Sequence, residues 1–319
     1  MQTSDPEMLA AAIRNANVEP CQLSAHPAPS KLARVVWPQM CLDVFSLGPA
    51  MLFSGAMPQD CFTLVFVLAC PGKAHSFNFS TEHTDGYMGF FPPGGALDSL
   101  SPENHSAATL TVSAAAFHAA LASCFPDIPD NVLAHGAGMR IGPAEQARLR
   151  GLLSAVEGML WQPGDALAST LARRHLERDL LEVFFAALRS GCSELVAAPT
   201  PRAARRHRRL QQARDYIATH VGEPIGLDDL CAATSLSHRG VEYLFQDMLG
   251  VSPIVYLRHQ RLHNARRALR HAEPAFGVVK QVALDCGFWH PGHFSHEYRA
   301  LFGENPSATM RQPIGPSNT

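Results

Sequence analysis

The sequence lacks most of the short signatures that announce chemistry. It has no C-x-x-C, no H-x-H, no G-x-S-x-G, no P-loop and no dinucleotide fingerprint. These absences argue against a serine hydrolase of that type, a nucleotide-binding enzyme and a clustered metal centre. Long apolar runs are missing too. The longest, residues 61–70, is too short for the roughly 20 residues of a membrane-crossing helix. The start, MQTSDPEMLAAAIRN, has no basic region followed by an apolar core, so no targeting leader is expected. The eight cysteines are scattered; Cys21, Cys41 and Cys61 share a spacing of 20, but their flanks do not match. Free thiols in a reducing cytosol, hence a cytoplasmic protein away from membranes, is the expectation.

Charge is sparse at 17%, against 46% hydrophobic residues, which is enough apolar material for a packed core. The net charge of −2 conceals a division. Residues 201–319 hold 15 Lys/Arg against 10 Asp/Glu, a net +5, whereas residues 1–200 carry −7. A length of 319 residues suits two domains. The imbalance suggests that only the C-terminal one meets phosphate.

What is present is a repeat. Phe245, Gly250, Pro253 and Arg258 recur as Tyr298, Gly303, Pro306 and Arg311 at an offset of 53. Leu230 and Leu236 match Val282 and Phe288 at 52, so the second copy has one extra residue in its turn. A fixed offset marks one supersecondary unit used twice. Leu227, Leu230 and Cys231 form a short helical stripe, with Asp228 and Asp229 suited to its first turn. Ser235 or Ser237 could cap the next helix, whose stripe is Val241, Leu244, Phe245 and Met248 and whose end is Gly250. Each copy therefore reads as helix, tight turn, helix. In the second copy Gly287 sits at the turn, and Phe294, Tyr298, Leu301 and Phe302 point inward. Between the copies, residues 253–270 form a helix with Tyr256, Leu257, Leu262, Ala265 and Leu269 inward and Arg258, Arg261, Arg266, Arg267 and Arg270 as its cations.

The two units (LDDLCAATSLS with VEYLFQDMLGVSP, and ALDCGFWHPGHFSHEYRALFGENPS) and the joining YLRHQRLHNARRAL resemble the C-terminal domain of the AraC/XylS family of transcription regulators. The departures are Cys231 and Ser235, where the family often has Ala and Gly, and Tyr298, where Phe is usual. The resemblance implies two helix-turn-helix units joined by a long helix, each placing its second helix in successive major-groove segments of one DNA face. Those segments lie about 34 Å apart on B-DNA.

N-terminal to this module, residues 1–30 read as a partly mobile segment. From about residue 35 to 112 the signals are β: Leu42, Val44 and Phe45, then 51–53, 62–68 (FTLVFVL), 76–79, 87–91 before the PPGG turn at 92–95, and 109–112. Several short strands suit a small barrel or sandwich. FFPPGGALDSLSP and ATLTV are similar to the later strands of the family's cupin-like sensing domain. His75, His83, His105 and His118 read as isolated surface or loop histidines, so neither metal nor cofactor is expected. A ligand pocket would draw on Phe53, Phe66, Phe77, Phe79 and Phe91, although each also suits a plain core. Two helical stripes follow: Leu149, Leu152, Leu153, Val156 and Leu160, then, after WQPG, Leu167, Leu171, Leu176, Leu180, Leu181, Phe184, Phe185 and Leu188. They could pack on the barrel or pair across a dimer. CSELVAAPTP is a linker, and RAARRHRR at 202–209 suits either phosphate contact or a solvated helix start.

The expected architecture is α+β. A sensing and dimerisation domain, a cupin-like β-barrel with two helices, spans 31–191. A linker with the basic run spans 192–209, and an all-α double helix-turn-helix domain spans 210–312. Base-edge readers are His238, Arg239, Glu242 and Tyr243 in the first unit and His290, Gly292, His293 and His296 in the second; Ser237, Ser295 and Arg299 suit phosphate. The three histidines, with Cys286 near, sit at i, i+3 and i+6, which drifts round a helix and does not converge on one ion. The expected function is a sequence-specific transcription regulator, an activator, not an enzyme. Its partners would be double-stranded DNA, a small-molecule effector, RNA polymerase and a second copy of the chain. Two other readings stay open: a constitutive regulator whose N-terminal domain only dimerises, and a cupin-type metalloenzyme fused to a DNA-binding module.

Overall fold

The computed structural model describes residues 2–3, 16–25, 28–76, 78, 81–124, 128–161, 169–196 and 200–311. The chain forms two compact units, one of Met1–Pro20 with Ala28–Pro199, the other of Cys21–Pro27 with Thr200–Thr319. The first is mixed α and β, the second helical.

The first unit contains two sheets. Its strands are β1 (Gln2–Thr3), β2 (Asn17–Gln22), β3 (Ser30–Val36), β4 (Met40–Ser46), β5 (Met51–Ala56), β6 (Cys61–Ala69), β7 (Ala74–Ser76), β8 (Thr81–His83), β9 (Tyr87–Phe91), β10 (Ala96–Ser101), β11 (Ser106–Ser113) and β12 (Ala137–Arg140). One sheet runs β1-β3-β4-β11-β6-β9-β12 and the other β2-β5-β10-β7-β8. Among the described residues the two sheets do not join into a closed barrel, which corrects the barrel expected from the strand pattern. Short strands with turns suit both architectures, and strand order decides between them.

β11 is the centre of the larger sheet: Leu110 sits opposite Leu42 of β4 and Leu64 of β6. Such a strand is covered on both faces, and its interior is buried throughout. Side chains alternate across each strand. On β6, Phe62, Leu64 and Phe66 join a large core; so do Met88 and Phe90 of β9. The helices α1 (Ala114–Cys124), α2 (Asp130–His135), α3 (Pro143–Trp161) and α4 (Thr170–Gly191) contribute Phe117, Val132, Leu149, Leu153, Val156, Leu180, Phe184 and Leu188 to that core. Phe117 stacks on Phe62 with ring centroids 4.0 Å apart. Each fully buried Leu or Phe contributes roughly 1.5–3 kcal/mol. The inward stripes of α3 and α4 are thus spent within the unit. Leu171 stays 63% exposed and Met159 40%, while Leu167 lies outside the described residues.

In the second unit the helices are α5 (Pro201–Thr219), α6 (Leu227–Thr234), α7 (His238–Leu249), α8 (Pro253–His271), α9 (Val278–Asp285), α10 (Pro291–Phe302) and α11 (Pro306–Thr309). α5 starts eight residues before the basic run ends, because Thr200 caps it through the Ala203 N–H and Pro201 occupies the first helical position. The run is therefore the first half of a helix rather than a linker. Residues 21–25, expected in a partly mobile segment, contribute Cys21 and Gln22 to this unit. The Gln22 N–H donates to His263 Nε2 at 2.8 Å, and its side-chain amide donates to the Leu301 carbonyl at 2.6 Å.

Candidate nucleic-acid interface and interior cavity

α6 with α7, and α9 with α10, are the two helix-turn-helix units. The first is built on Leu210, Ala213 and Ile217 of α5 and on Leu230, Val241, Leu244, Phe245 and Leu249, all buried. Asp229 accepts from the Gly226 N–H at 2.8 Å and fixes the start of α6. Ser235 then takes the left-handed conformation, φ 53°, which short polar side chains tolerate. Ser237 caps α7 by accepting from the Gly240 N–H, and Gly250 ends it at φ 73°. In the second unit Gly287 (φ 79°) makes the turn and Gly303 (φ 75°) ends α10.

α8 is the shaft between them. Its Tyr256 ring meets Phe245 edge-on at 5.5 Å, while Leu262, Ala265 and Leu269 pack with Phe288, Phe294, Tyr298 and Phe302. Several of its cations are structural rather than available to DNA. Arg261 donates to the Val221 and Glu223 carbonyls at 2.9 and 2.5 Å. Arg258 pairs with Glu297 of α10 at 3.3 Å. Arg266 is only 2% exposed, pairs with Glu304 at 2.8 Å and lies 4.7 Å from the Phe302 centroid. Glu304 accepts from Thr309, whose hydroxyl bonds the Tyr298 phenol at 2.7 Å. The phenolic oxygen that distinguishes Tyr298 from the usual Phe therefore belongs to a buried polar chain.

All four base-reading candidates of the first unit, His238, Arg239, Glu242 and Tyr243, are exposed on α7. His238 Nε2 lies 2.5 Å from Asp228 Oδ1. Arg206, from the basic run, sits 5.6 Å from the Tyr243 ring centroid and pairs with Asp247. One member of that run is thus a brace for α7. In the second unit His290, Gly292, His293 and His296 are exposed at the start of α10, Ser295 is half-buried and Arg299 is exposed. A Cβ at Gly292 would meet nothing within 4 Å, so packing does not demand glycine there. Ser237 has its side chain committed to the α7 cap. Among the described residues no three metal-capable side chains converge, the His290–His293 pair included.

The first unit holds a second feature, a cavity of about 70 Å³ between the inner faces of its two sheets. Val65 and Val67 of β6 and Gly89 of β9 line it, on the strand faces opposite the helix-packed core. Phe53 and Phe91 are among its walls. Phe66 is not: one-residue alternation turns it toward α3, where the Arg150 guanidinium lies 5.8 Å from its ring. Phe77 and Phe79 lie outside the described residues. His83 and His105 also line the cavity, at 6% and 3% exposure, which corrects their reading as surface histidines, although His105 does stand in a turn. His83 stacks on Tyr87 at 4.4 Å. Burial, aided by the neighbouring His105 and His75, pushes His83 down to about 3, and burial takes His105 down to about 4. The Tyr87 phenol is raised by the same desolvation, though the nearby Ser76 hydroxyl opposes this. Both His83 ring nitrogens and His105 Nδ1 make no hydrogen bond to another protein group, and the Tyr87 and Ser76 hydroxyls find no partner beyond each other. No sequence spacing joins these residues; β7, β8, β9 and the turn before β11 bring them together.

Two helix-turn-helix units on one connecting helix define a DNA-binding module. Residues 230–312 match the family model described as "Helix-turn-helix domain". The probable thc operon regulatory protein of Rhodococcus erythropolis is 34% identical over 99 residues, 31% of this chain and 30% of that protein. The XylDLEGF operon transcriptional activator of Pseudomonas putida is 34% identical over 97 residues, 30% of each. The crystal structure of a probable AraC family transcriptional regulator from Rhodopseudomonas palustris is 37% identical. That match covers 33% of this chain and 95% of that one, with a TM-score of 0.31. The module at residues 230–312 is therefore a DNA-binding domain of AraC/XylS type. The chain spans about 30% of the length of the curated relatives named here.

Proposed function

We propose that the protein is a sequence-specific transcription activator whose DNA affinity is set by a small molecule bound in the two-sheet unit. The observation that carries the DNA part is the pair of exposed, polar helix starts, 238–243 and 290–296, each on a helix whose opposite face is locked to α8. Arg239 offers a bidentate pair to guanine O6 and N7, and Glu242 accepts from cytosine N4. His238, Tyr243, His290, His293 and His296 complete the base-edge set. Gly292 lets the α10 backbone approach closely. Ser295 and Arg299 face phosphate, and Ser237 acts there through its cap.

The activator role follows the name of the Pseudomonas putida relative, which is an operon transcriptional activator; contact with RNA polymerase goes with it. The cavity supports a cupin-like sensing domain over a constitutive, ligand-free one. An effector changes DNA binding only if it favours one state of the protein over another. We also assign a cytoplasmic homodimer, with the exposed Leu171 side of α4 available for pairing. Genome-wide mapping of bound sites, followed by binding to the recovered duplexes with and without metabolites of the flanking genes, tests the whole reading. Discrete sites with effector-dependent affinity are expected. Discrete sites unmoved by any metabolite would leave the constitutive regulator, and scattered occupancy would remove the DNA function.

A further inference from the structure

The cavity wall is mostly apolar, with Val18, Phe45, Phe53, Phe91 and Leu97 among its members, and among the described residues no Lys, Arg, Asp or Glu lines it. Neither a carboxylate nor an ammonium group would find a counter-charge, and a buried ion without one is strongly disfavoured. Against that apolar wall stands a tight polar group from four different places in the chain: Ser76, His83, Tyr87 and His105. Buried polar atoms in folded proteins nearly always have partners, and an unpaired cluster calls for an explanation. Burial keeps both imidazoles neutral, so each offers one donor and one acceptor. That set matches a hydroxyl or a carbonyl, which needs complementary donors and acceptors and no charge.

We propose that this cavity takes an uncharged, mainly apolar molecule bearing a hydroxyl or carbonyl group, which His83, Tyr87, Ser76 and His105 hold by hydrogen bonds. The inference rests on the effector reading above and narrows it to a chemical class. The volume of about 70 Å³ is small beside the roughly 150 Å³ that holds benzene in a dry apolar cavity. The enclosed part of the ligand is therefore a short alkyl chain or, with movement of the flexible Met57 side chain, a single ring. The polar cluster then orients the ligand, while the apolar wall supplies most of the affinity.

Three matched probes test this on the full chain: cyclohexanol, methylcyclohexane and cyclohexanecarboxylate. Binding is followed through the Met57 methyl resonance, which reports on the cavity wall. Cyclohexanol is expected to shift that signal and to bind about tenfold more tightly than either other probe. Tyr87→Phe, which removes only an oxygen, should lower cyclohexanol affinity several-fold and leave methylcyclohexane unchanged; His83→Phe is the stronger companion variant. Carboxylate binding at Met57 equal to or tighter than the alcohol would overturn the uncharged class while leaving a small-molecule sensor in place. Equal binding of alcohol and hydrocarbon would remove the polar cluster from recognition. No shift with any probe would overturn the proposal, and the metabolite dependence of operator binding would then judge the sensor reading separately.

Discussion

The two helix-turn-helix copies share a frame and differ in what they show to solvent. Gly250 and Gly303 end their second helices at φ 73° and 75°, and Phe245 and Tyr298 fill equivalent buried places. Yet α7 begins with a side-chain cap from Ser237 and carries Arg239, Glu242 and Tyr243, with Arg206 braced against it. α10 begins at His290 without a side-chain cap and carries three histidines. The frame is set by packing, which repeats; the exposed faces are free to diverge. The second copy also depends on a buried ionic chain, Arg266–Glu304–Thr309–Tyr298.

The largest effect should come from breaking that dependence. Arg266→Ala leaves Glu304 without its cation; losing one partner of a fully buried pair costs about 3–5 kcal/mol, and the cost here falls toward the lower end because Glu304 is 20% exposed. Hydrogen exchange should show α9 and α10 losing protection while α6 and α7 keep theirs. Equal loss in both copies would mean that the pair supports the whole unit.

Histidines sharpen the comparison through pH. His263 of α8 is held down to about 3, chiefly by burial, while it accepts the Gln22 N–H. Burial likewise takes His259 down to about 4. Both are neutral in the folded state and protonate more readily when unfolded. The unfolded chain therefore binds more protons below about pH 6.5, and stability falls as pH drops from there toward 4, by roughly 3 kcal/mol for His263. Denaturant unfolding at pH 7 and pH 4.5 checks the sign; His263→Gln should remove its own share of the dependence and leave that of His259, His83 and His105.

Next is recognition. Arg239→Ala should cost roughly 1–3 kcal/mol of binding and relax preference at one base position. Equal weakening on every duplex would make Arg239 a phosphate contact. Tyr298→Phe should cost about 1 kcal/mol of stability, since it deletes one buried hydrogen bond without changing the packing. Smallest is a modest, few-fold loss of DNA affinity when His290, His293 and His296 of α10 are together replaced by alanine. Unchanged affinity of that variant in titrations of the full chain would remove them from the interface.

How legible each unit was follows from where its constraints lie. The helical repeat was legible because its inward residues recur at fixed spacing along one chain. Gly250, Gly287 and Gly303 stood where the backbone needs positive φ. The basic run was legible as a possible helix start, but its assignment to the linker span 192–209 was misplaced because the Thr200–Pro201 helix start was not read. In the sheet unit, 62–68 and 87–91 were visible as strands, being short and apolar. Strand order is a long-range property, so the open pair of sheets was not visible. The cavity cluster was hidden for the same reason: His83 lies on β8 of one sheet, His105 in the turn before β11 of the other, and the two line one cavity only after folding.

Selection of bound duplexes from a random pool by the full chain, at moderate salt, tests the central claim most directly. Two rigidly joined units predict a motif with two conserved blocks separated by about one helical turn, 10–10.5 base pairs. The block lost in Arg239→Ala would belong to the first unit. A pool showing no enrichment over random competitor would contradict the account.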